Sequence, residues 1–118
     1  MRILIFKRRK TFTASFGKLS VFIQDSRGDF EIRGIKCKEI GKLKNGDKGE
    51  YTIPNESVHI FTVVSKSCPE WHHANYMIPA GDETVELFVG PKLNPAGGNP
   101  FSIYDKKDMV EHSKERGW

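Results

Sequence analysis

The side chains best suited to chemistry lie together between Cys68 and His73, in the run Cys-Pro-Glu-Trp-His-His. Thiolate and imidazole groups are ligands that zinc prefers, so Cys68, His72 and His73 are candidate metal ligands. Structural zinc sites combine two such pairs of ligands, and the sequence holds no second Cys/His pair. The favoured interpretation is therefore a plain loop that packs Trp71, with a metal site or an enzyme built on this loop as the alternative.

Other catalytic arrangements receive less support from the spacing of the residues. A cysteine nucleophile needs an imidazole within hydrogen-bonding distance, and Cys68 followed by Pro69 has no local support for that role. The carboxylates of Asp82, Glu83 and Glu86 fit turn and edge charges better than an opposed catalytic pair. Phosphate-binding, dinucleotide-binding and nucleophilic-serine motifs are absent from the sequence. We therefore predict no catalytic residue and no cofactor.

The net charge of +4 is distributed unevenly along the chain. The first twenty residues contain six bases and no acid, and four of the bases form the run Lys7, Arg8, Arg9 and Lys10. Nucleic-acid binding needs a continuous cationic surface that neutralises several phosphates. A short basic run is more typical of a solvated turn, so we expect a charged turn here and keep a weak nucleic-acid or anionic-surface binder as the second alternative.

Aromatic residues offer a further candidate site. If Phe22, Phe61 and Phe88 share the face opposite the aliphatic rows of their strands, the aromatic residues exceed what one inner face needs. Together with Trp71 they are then candidates for contact with a protein partner or with a second copy of the chain. The competing interpretation is that the chain termini cover this face.

These side chains must be positioned by strands, because hydrophobic residues recur with a period of two through most of the chain. The turn residues at 25–29 predict a hairpin between 18–24 and 30–33. The Asn-Gly pair within 44–47 predicts a second hairpin whose return strand is 50–53. About seven short strands bounded by such turns indicate an all-β fold, an antiparallel β-sandwich, with an open barrel as the alternative.

Four segments resemble small bacterial β-sandwich domains of the PEGA and transthyretin-like type. They are Lys18–Asp25 (KLSVFIQD), Ile40–Gly46 (IGKLKNG), Tyr51–Val63 (YTIPNESVHIFTV) and Gly81–Gly90 (GDETVELFVG). The resemblance covers residues 18–90 and departs from the pattern at 26–38, which look like an insertion. It implies an immunoglobulin-like or transthyretin-like sandwich that acts as a non-catalytic accessory domain, often attached to envelope or membrane-associated proteins.

Length and composition limit the remaining possibilities. A chain of 118 residues with 37% hydrophobic residues fits one domain, which we place at 1–104, followed by a charged, irregular or helical tail at 105–118. The longest purely apolar run, Ile3–Phe6, is too short for a transmembrane helix, and the amino terminus lacks a secretory pattern, so we expect a cytoplasmic protein with free thiols. The predicted function is a non-catalytic interaction module that binds a protein partner or itself.

Overall fold

Strands make up all the regular secondary structure in the computed structural model, which describes residues 1–10, 17–68, 73–91 and 101–105. None of these residues belongs to a helix that could cross a membrane. The all-β class is confirmed, and the described part of the chain has nine strands rather than about seven. They are β1 (Arg2–Arg8), β2 (Leu19–Gln24), β3 (Phe30–Ile32), β4 (Ile35–Leu43), β5 (Lys48–Ile53), β6 (Val58–Val63), β7 (Ala74–Ile78), β8 (Val85–Pro91) and β9 (Phe101–Asp105).

The strands form two sheets, as expected for a sandwich. The four-stranded sheet has the order β5-β1-β8-β9, and the five-stranded sheet has the order β3-β4-β2-β6-β7. The prediction that all strands pair antiparallel is wrong for one pair, since β1 and β8 run parallel. Parallel neighbours need a long connection, and here the whole five-stranded sheet lies between the two strands in the sequence. Asp105 belongs to β9, and the rest of the predicted tail, residues 106–118, lies outside the described residues.

The main core lies between the sheets and is built by alternation along each strand. In β1 the side chains of Leu4 and Phe6 point inward and are fully buried, while Ile3 on the opposite face is 41% exposed. Each large apolar side chain that is buried in this way contributes about 1.5–3 kcal/mol. Both sheets supply members, including Leu4, Phe6, Val21, Ile23, Ile53, Ile60, Leu87, Val89 and Ile103.

A second, smaller cluster lies on the other face of the five-stranded sheet. Its buried members are Phe22, Ile32, Cys37, Phe61 and Val63. Phe22 and Phe61 are direct cross-strand partners on β2 and β6. The two central strands of this sheet, β2 and β6, are therefore apolar on both faces, as their nearly continuous hydrophobic sequences indicate.

The Asn-Gly turn exists, but it does not close a hairpin. Asp47 N–H donates to the carbonyl of Lys44 at 2.9 Å, and Gly46 has a φ of 83°. A single positive φ at the third turn position is the type II geometry, which splays the flanking strands instead of matching their twist. The turn accordingly carries the chain from β4 in one sheet to β5 in the other, and the predicted antiparallel return is wrong.

The predicted hairpin between 18–24 and 30–33 is also replaced by a different pairing. β2 pairs with β4, and β3 forms a tight hairpin with β4 through Arg33 and Gly34, whose φ values are 52° and 81°. Two consecutive positive φ angles give the type I′ turn that suits a two-residue hairpin. The turn after Gln24 instead folds back at Gly28, where an added Cβ would collide with the backbone of Cys37.

Arg8 lies inside the protein, although its sequence neighbours predict a solvated turn. It ends β1 on the inward-facing side and is 3% exposed. Its Nη1 donates to the carbonyls of Leu43 at 2.8 Å and Gly17 at 3.1 Å, and the guanidinium lies 5.7 Å from the centroid of the Phe101 ring. Burial lowers the pKa of Arg8 from its ordinary value, and Asp47 opposes that shift. The expectation that Arg8 is a solvated turn charge is therefore wrong.

The adjacent bases Lys7 and Arg8 allow a matched test of this placement. We expect Arg8→Met to lower the free energy of unfolding by about 1–3 kcal/mol, because the buried Leu43 carbonyl loses its charged donor. Lys7→Met removes a partly exposed ion pair with Glu86 and a contact with the Phe88 ring, and it should cost less than about 1 kcal/mol. Urea unfolding of both variants measures the difference, and equal losses would show that Arg8 is not held in the interior.

The carboxylate of Asp25 gives a pH-dependent test of the turn that precedes β3. The backbone N–H of Arg27 and the side chains of Lys38 and Arg27 bind it, which holds the pKa of this carboxyl well below its usual range. Its stabilising contribution is present above the unfolded-state pKa of about 3.9 and is lost as the pH falls toward the folded-state value.

We therefore expect Asp25→Asn to be less stable than the wild type at pH 7, and the gap to narrow below about pH 4. Asp29→Asn, in the same turn, is the matched control, since that side chain makes no ion pair with any of the described residues. Thermal unfolding followed across the pH range provides the measurement. A gap that stays constant with pH would contradict the role assigned to the ionised carboxyl.

Candidate interaction surfaces

The predicted metal loop is described only in part. His73 is buried with 1% exposure, and its ring makes an edge contact with Phe30 at a centroid distance of 6.2 Å. Cys68 is half-buried, whereas His72 and Trp71 lie outside the described residues. Among the described residues no three or more His, Cys, Asp or Glu side chains come together as a metal site would require. The metal hypothesis for Cys68, His72 and His73 thus stays an untested prediction.

The basic run does not form one continuous cationic surface. Lys7 Nζ lies 3.0 Å from Glu86 Oε2 and 5.6 Å from the centroid of the Phe88 ring, on the face of the sheet that points to solvent. Arg8 points the opposite way, into the protein. Arg9 N–H donates to the Val89 carbonyl at 2.9 Å and so continues the pairing along β8. Strand alternation therefore places Lys7 and Arg8 on opposite faces of the sheet.

The aromatic residues separate into a covered pair and an outward-facing member. Phe22 and Phe61 are each 1% exposed. The ring of Phe30, from β3, packs on Phe22 at 5.1 Å between centroids, and Lys66 Nζ lies 5.7 Å from Phe22 and 5.3 Å from Phe30. The cover thus comes from β3 and the segment after β6. Phe22 and Phe61 are not accessible to a partner in this conformation.

Phe88 lies on the other sheet, so the three phenylalanines do not share one face. It pairs with Tyr104 on β9, and the two rings stack at 6.0 Å between centroids. Its neighbour in the parallel β1–β8 register is Lys7, which places it on the same outward face as Ile5 and Ile3. Ile3 is exposed, and Ile5 and Phe88 are half-buried. We call these three residues, Ile3, Ile5 and Phe88, the outer strip.

Charged residues of both signs surround the outer strip. The Lys7–Glu86 ion pair lies between Ile5 and Phe88. On the neighbouring strand β5, Lys48 and Glu50 face the same way, with Nζ and Oε1 4.0 Å apart. The outward face of the four-stranded sheet therefore intersperses apolar side chains with charges of both signs.

A cleft of about 600 Å³ lies at one end of the sandwich, where the chain crosses from β7 to β8. Asp82 and Glu83, two of the carboxylates noted in the sequence, lie along it with Glu86. Tyr76 Oη donates to Asp105 Oδ2 at 3.2 Å at the side where the two sheets meet. Glu86 forms an ion pair with Lys7 at 3.0 Å.

Arg2 closes the base of this cleft and is a structural residue that the sequence reasoning missed. It is 6% exposed and donates to the carbonyls of Pro79 at 2.7 Å, Pro54 at 3.0 Å and Glu56 at 3.2 Å. These bonds tie two turns to the start of β1, and Gly81 N–H donates to the Asn55 carbonyl at 2.8 Å beside them. The alternation of Arg2 with Leu4 and Phe6 was the signal that could have placed it inside.

The two thiols differ in environment and give a direct test of the described burial. Burial raises the pKa of Cys37 to about 11, with a smaller contribution from Asp29, and the residue is fully buried. Cys68 is partly accessible. We expect a thiol reagent at pH 8 to label one cysteine of the native protein quickly and the second only in urea, because the reacting species is the thiolate.

Two single variants assign the labels. Cys68→Ser should leave a native protein that resists labelling, and Cys37→Ser should leave one that reacts quickly. Mass spectrometry of timed samples follows both. Rapid native labelling of the Cys68→Ser protein would contradict the closed packing of the second cluster.

In comparisons with known proteins, no family description, no curated protein and no solved structure matches this chain.

Proposed function

We propose that this chain is a non-catalytic β-sandwich module that binds a partner protein through the outer strip. The observation that carries the proposal is the 41% exposure of Ile3, next to the half-buried Ile5 and Phe88, on a regular sheet face. Where one face of a sheet is solvated, the side chains that point to that face are ordinarily polar. Apolar side chains retained there are typical of a surface that another protein covers.

The chemistry of the surface favours a protein over a nucleic acid. Protein interfaces combine apolar contacts with polar ones, and the outer strip likewise has apolar side chains among ion pairs. A phosphate backbone needs uncompensated cations, and here Glu86 neutralises Lys7 while Glu50 lies beside Lys48. The expected partner therefore presents apolar side chains interspersed with charges of both signs. The accessory role implied by the resemblance to PEGA and transthyretin-like domains is part of this proposal.

A competition experiment with two similarly exposed apolar residues tests the proposal. Ile3 and Met77 are 41% and 46% exposed, and Met77 lies on the other sheet. A photo-crosslinking residue at position 5 should give a discrete protein adduct in extracts of the source cells. Unmodified wild-type chain and the Met77→Glu variant should suppress this adduct equally. Ile3→Glu should need at least about tenfold more protein, because a buried charge opposes binding.

The amounts of the Ile3→Glu and Met77→Glu variants needed to suppress the adduct are compared. If Ile3→Glu competes as well as Met77→Glu, the outer strip does not bind the captured protein. If no adduct forms that the wild type can suppress, the proposed function is wrong. Circular dichroism of both variants checks that each keeps the β fold.

A further inference from the structure

Within the described part of the chain, β5 has a neighbouring strand on one side only. β5 is the terminal strand of its sheet, and it pairs with β1 over six consecutive residues without a register shift. Its span, Lys48–Ile53, contains no proline, and Pro54 follows directly after it. An edge without a bulge or a proline is a ready template for another strand.

The direction of each backbone group on β5 follows from its ladder with β1. Arg8 N–H donates to the Asp47 carbonyl at 2.8 Å, which makes this pair hydrogen-bonded. Antiparallel ladders alternate, so the residues bonded to β1 are at 47, 49, 51 and 53. Lys48, Glu50 and Thr52 then direct their N–H and C=O groups away from the sheet. Among the residues that the structure describes, none forms a hydrogen bond with these outward groups.

The side chains at this edge are charged and accessible. The side chain of Lys48 is 56% exposed and that of Glu50 is 62% exposed. Edge charges ordinarily prevent pairing, because a neighbouring strand would bring like charges together. Here one charge of each sign stands two residues apart on the same face. In an antiparallel pairing centred on Gly49, the residue between them, Lys48 of each copy faces Glu50 of the other.

We propose that two copies of this chain associate by antiparallel pairing of β5 with β5 around a two-fold axis at Gly49. Lys48 and Glu50 form hydrogen-bonded pairs across the axis, which engages both outward groups of each residue. Gly49 faces its own counterpart, and the Tyr51 ring of the same chain lies over it. The interface is isologous, and the eight strands form one continuous sheet.

Charge selects this register over its nearest competitor. Pairing centred on Glu50 would place two carboxylates directly opposite each other, which destabilises a ladder. Pairing centred on Tyr51 would bring Pro54 opposite Lys48 and lose an N–H donor. The Gly49 register alone among these three gives two opposite-charge pairs. Since it buries a small area, the dimer is weak and concentration-dependent.

This inference deepens the proposed function, because it names one partner as a second copy and assigns that contact to the β5 edge. It uses a different surface from the outer strip. Sedimentation velocity of the full chain from about 10 µM to about 1 mM at low salt measures the self-association directly. The wild type should move from monomer to dimer across this range.

Charge variants test the register. Glu50→Lys places lysines at both facing positions, as Lys48→Glu places glutamates, and each variant alone should dimerise at least about tenfold more weakly. The double variant Lys48→Glu with Glu50→Lys should recover the wild-type affinity. An equimolar mixture of the two single variants should also recover it, as a heterodimer. Met77→Glu, on the other sheet, is the control.

Three results of these measurements would each contradict the β5–β5 dimer. A wild type that stays monomeric to about 1 mM, or single variants that dimerise like the wild type, would overturn the proposal. Failure of the double variant to recover would also overturn it, because pairing around Gly49 restores both opposite-charge pairs after the exchange. The outer-strip experiment is read from a crosslinked adduct with another protein, so the two proposals can fail independently.

Discussion

The inward placement of Leu4 and Phe6 is the constraint on which the rest of the structure depends. Both side chains are fully buried between the sheets, on a strand that pairs antiparallel with β5 on one side and parallel with β8 on the other. A slip of one residue in the pairing of β1 would turn both side chains to solvent and turn Lys7 inward, at a cost of several kcal/mol. The same alternation buries Arg2 and Arg8 and turns Ile3 and Ile5 outward. Core and candidate surface are thus two consequences of one register.

The strands could be predicted from the sequence, but their neighbours could not. A period of two identifies which side chains share a face, and the predicted strand at 18–24, around Val21, is present for that reason. Pairing depends on turn geometry and on distant contacts. The Asn-Gly signal predicts a turn correctly, yet the single positive φ at Gly46 sends β5 to the other sheet. Parallel pairing of β1 with β8 leaves no local signal at all.

At the candidate site, too, some features follow from the local sequence and others depend on contacts with distant residues. Phe22, Phe61 and Phe88 were all predicted to lie opposite aliphatic rows, and alternation supports this within each strand. Whether such a side chain is accessible depends on what covers it, and Phe30 and Lys66 come from other parts of the chain. For Arg8 the error is the opposite one, because its charge predicts exposure and the side chain is buried. A buried arginine such as Arg8 is recognisable only through the carbonyls that accept from it, and Leu43 is 35 residues away.

The two proposed contacts are compatible because they use different directions of the same sheet. Edge pairing consumes in-plane backbone groups of β5 and leaves the faces of the sheet open. Paired residues in a continuous sheet project to the same side, so the outer strips of both copies would face one direction. Two β5 strands separate the two β1 strands, a distance of about 14 Å at the usual strand spacing. A partner with two such apolar patches would then bind both copies at once, and its affinity would exceed that for a single strip through the high effective concentration of the second contact.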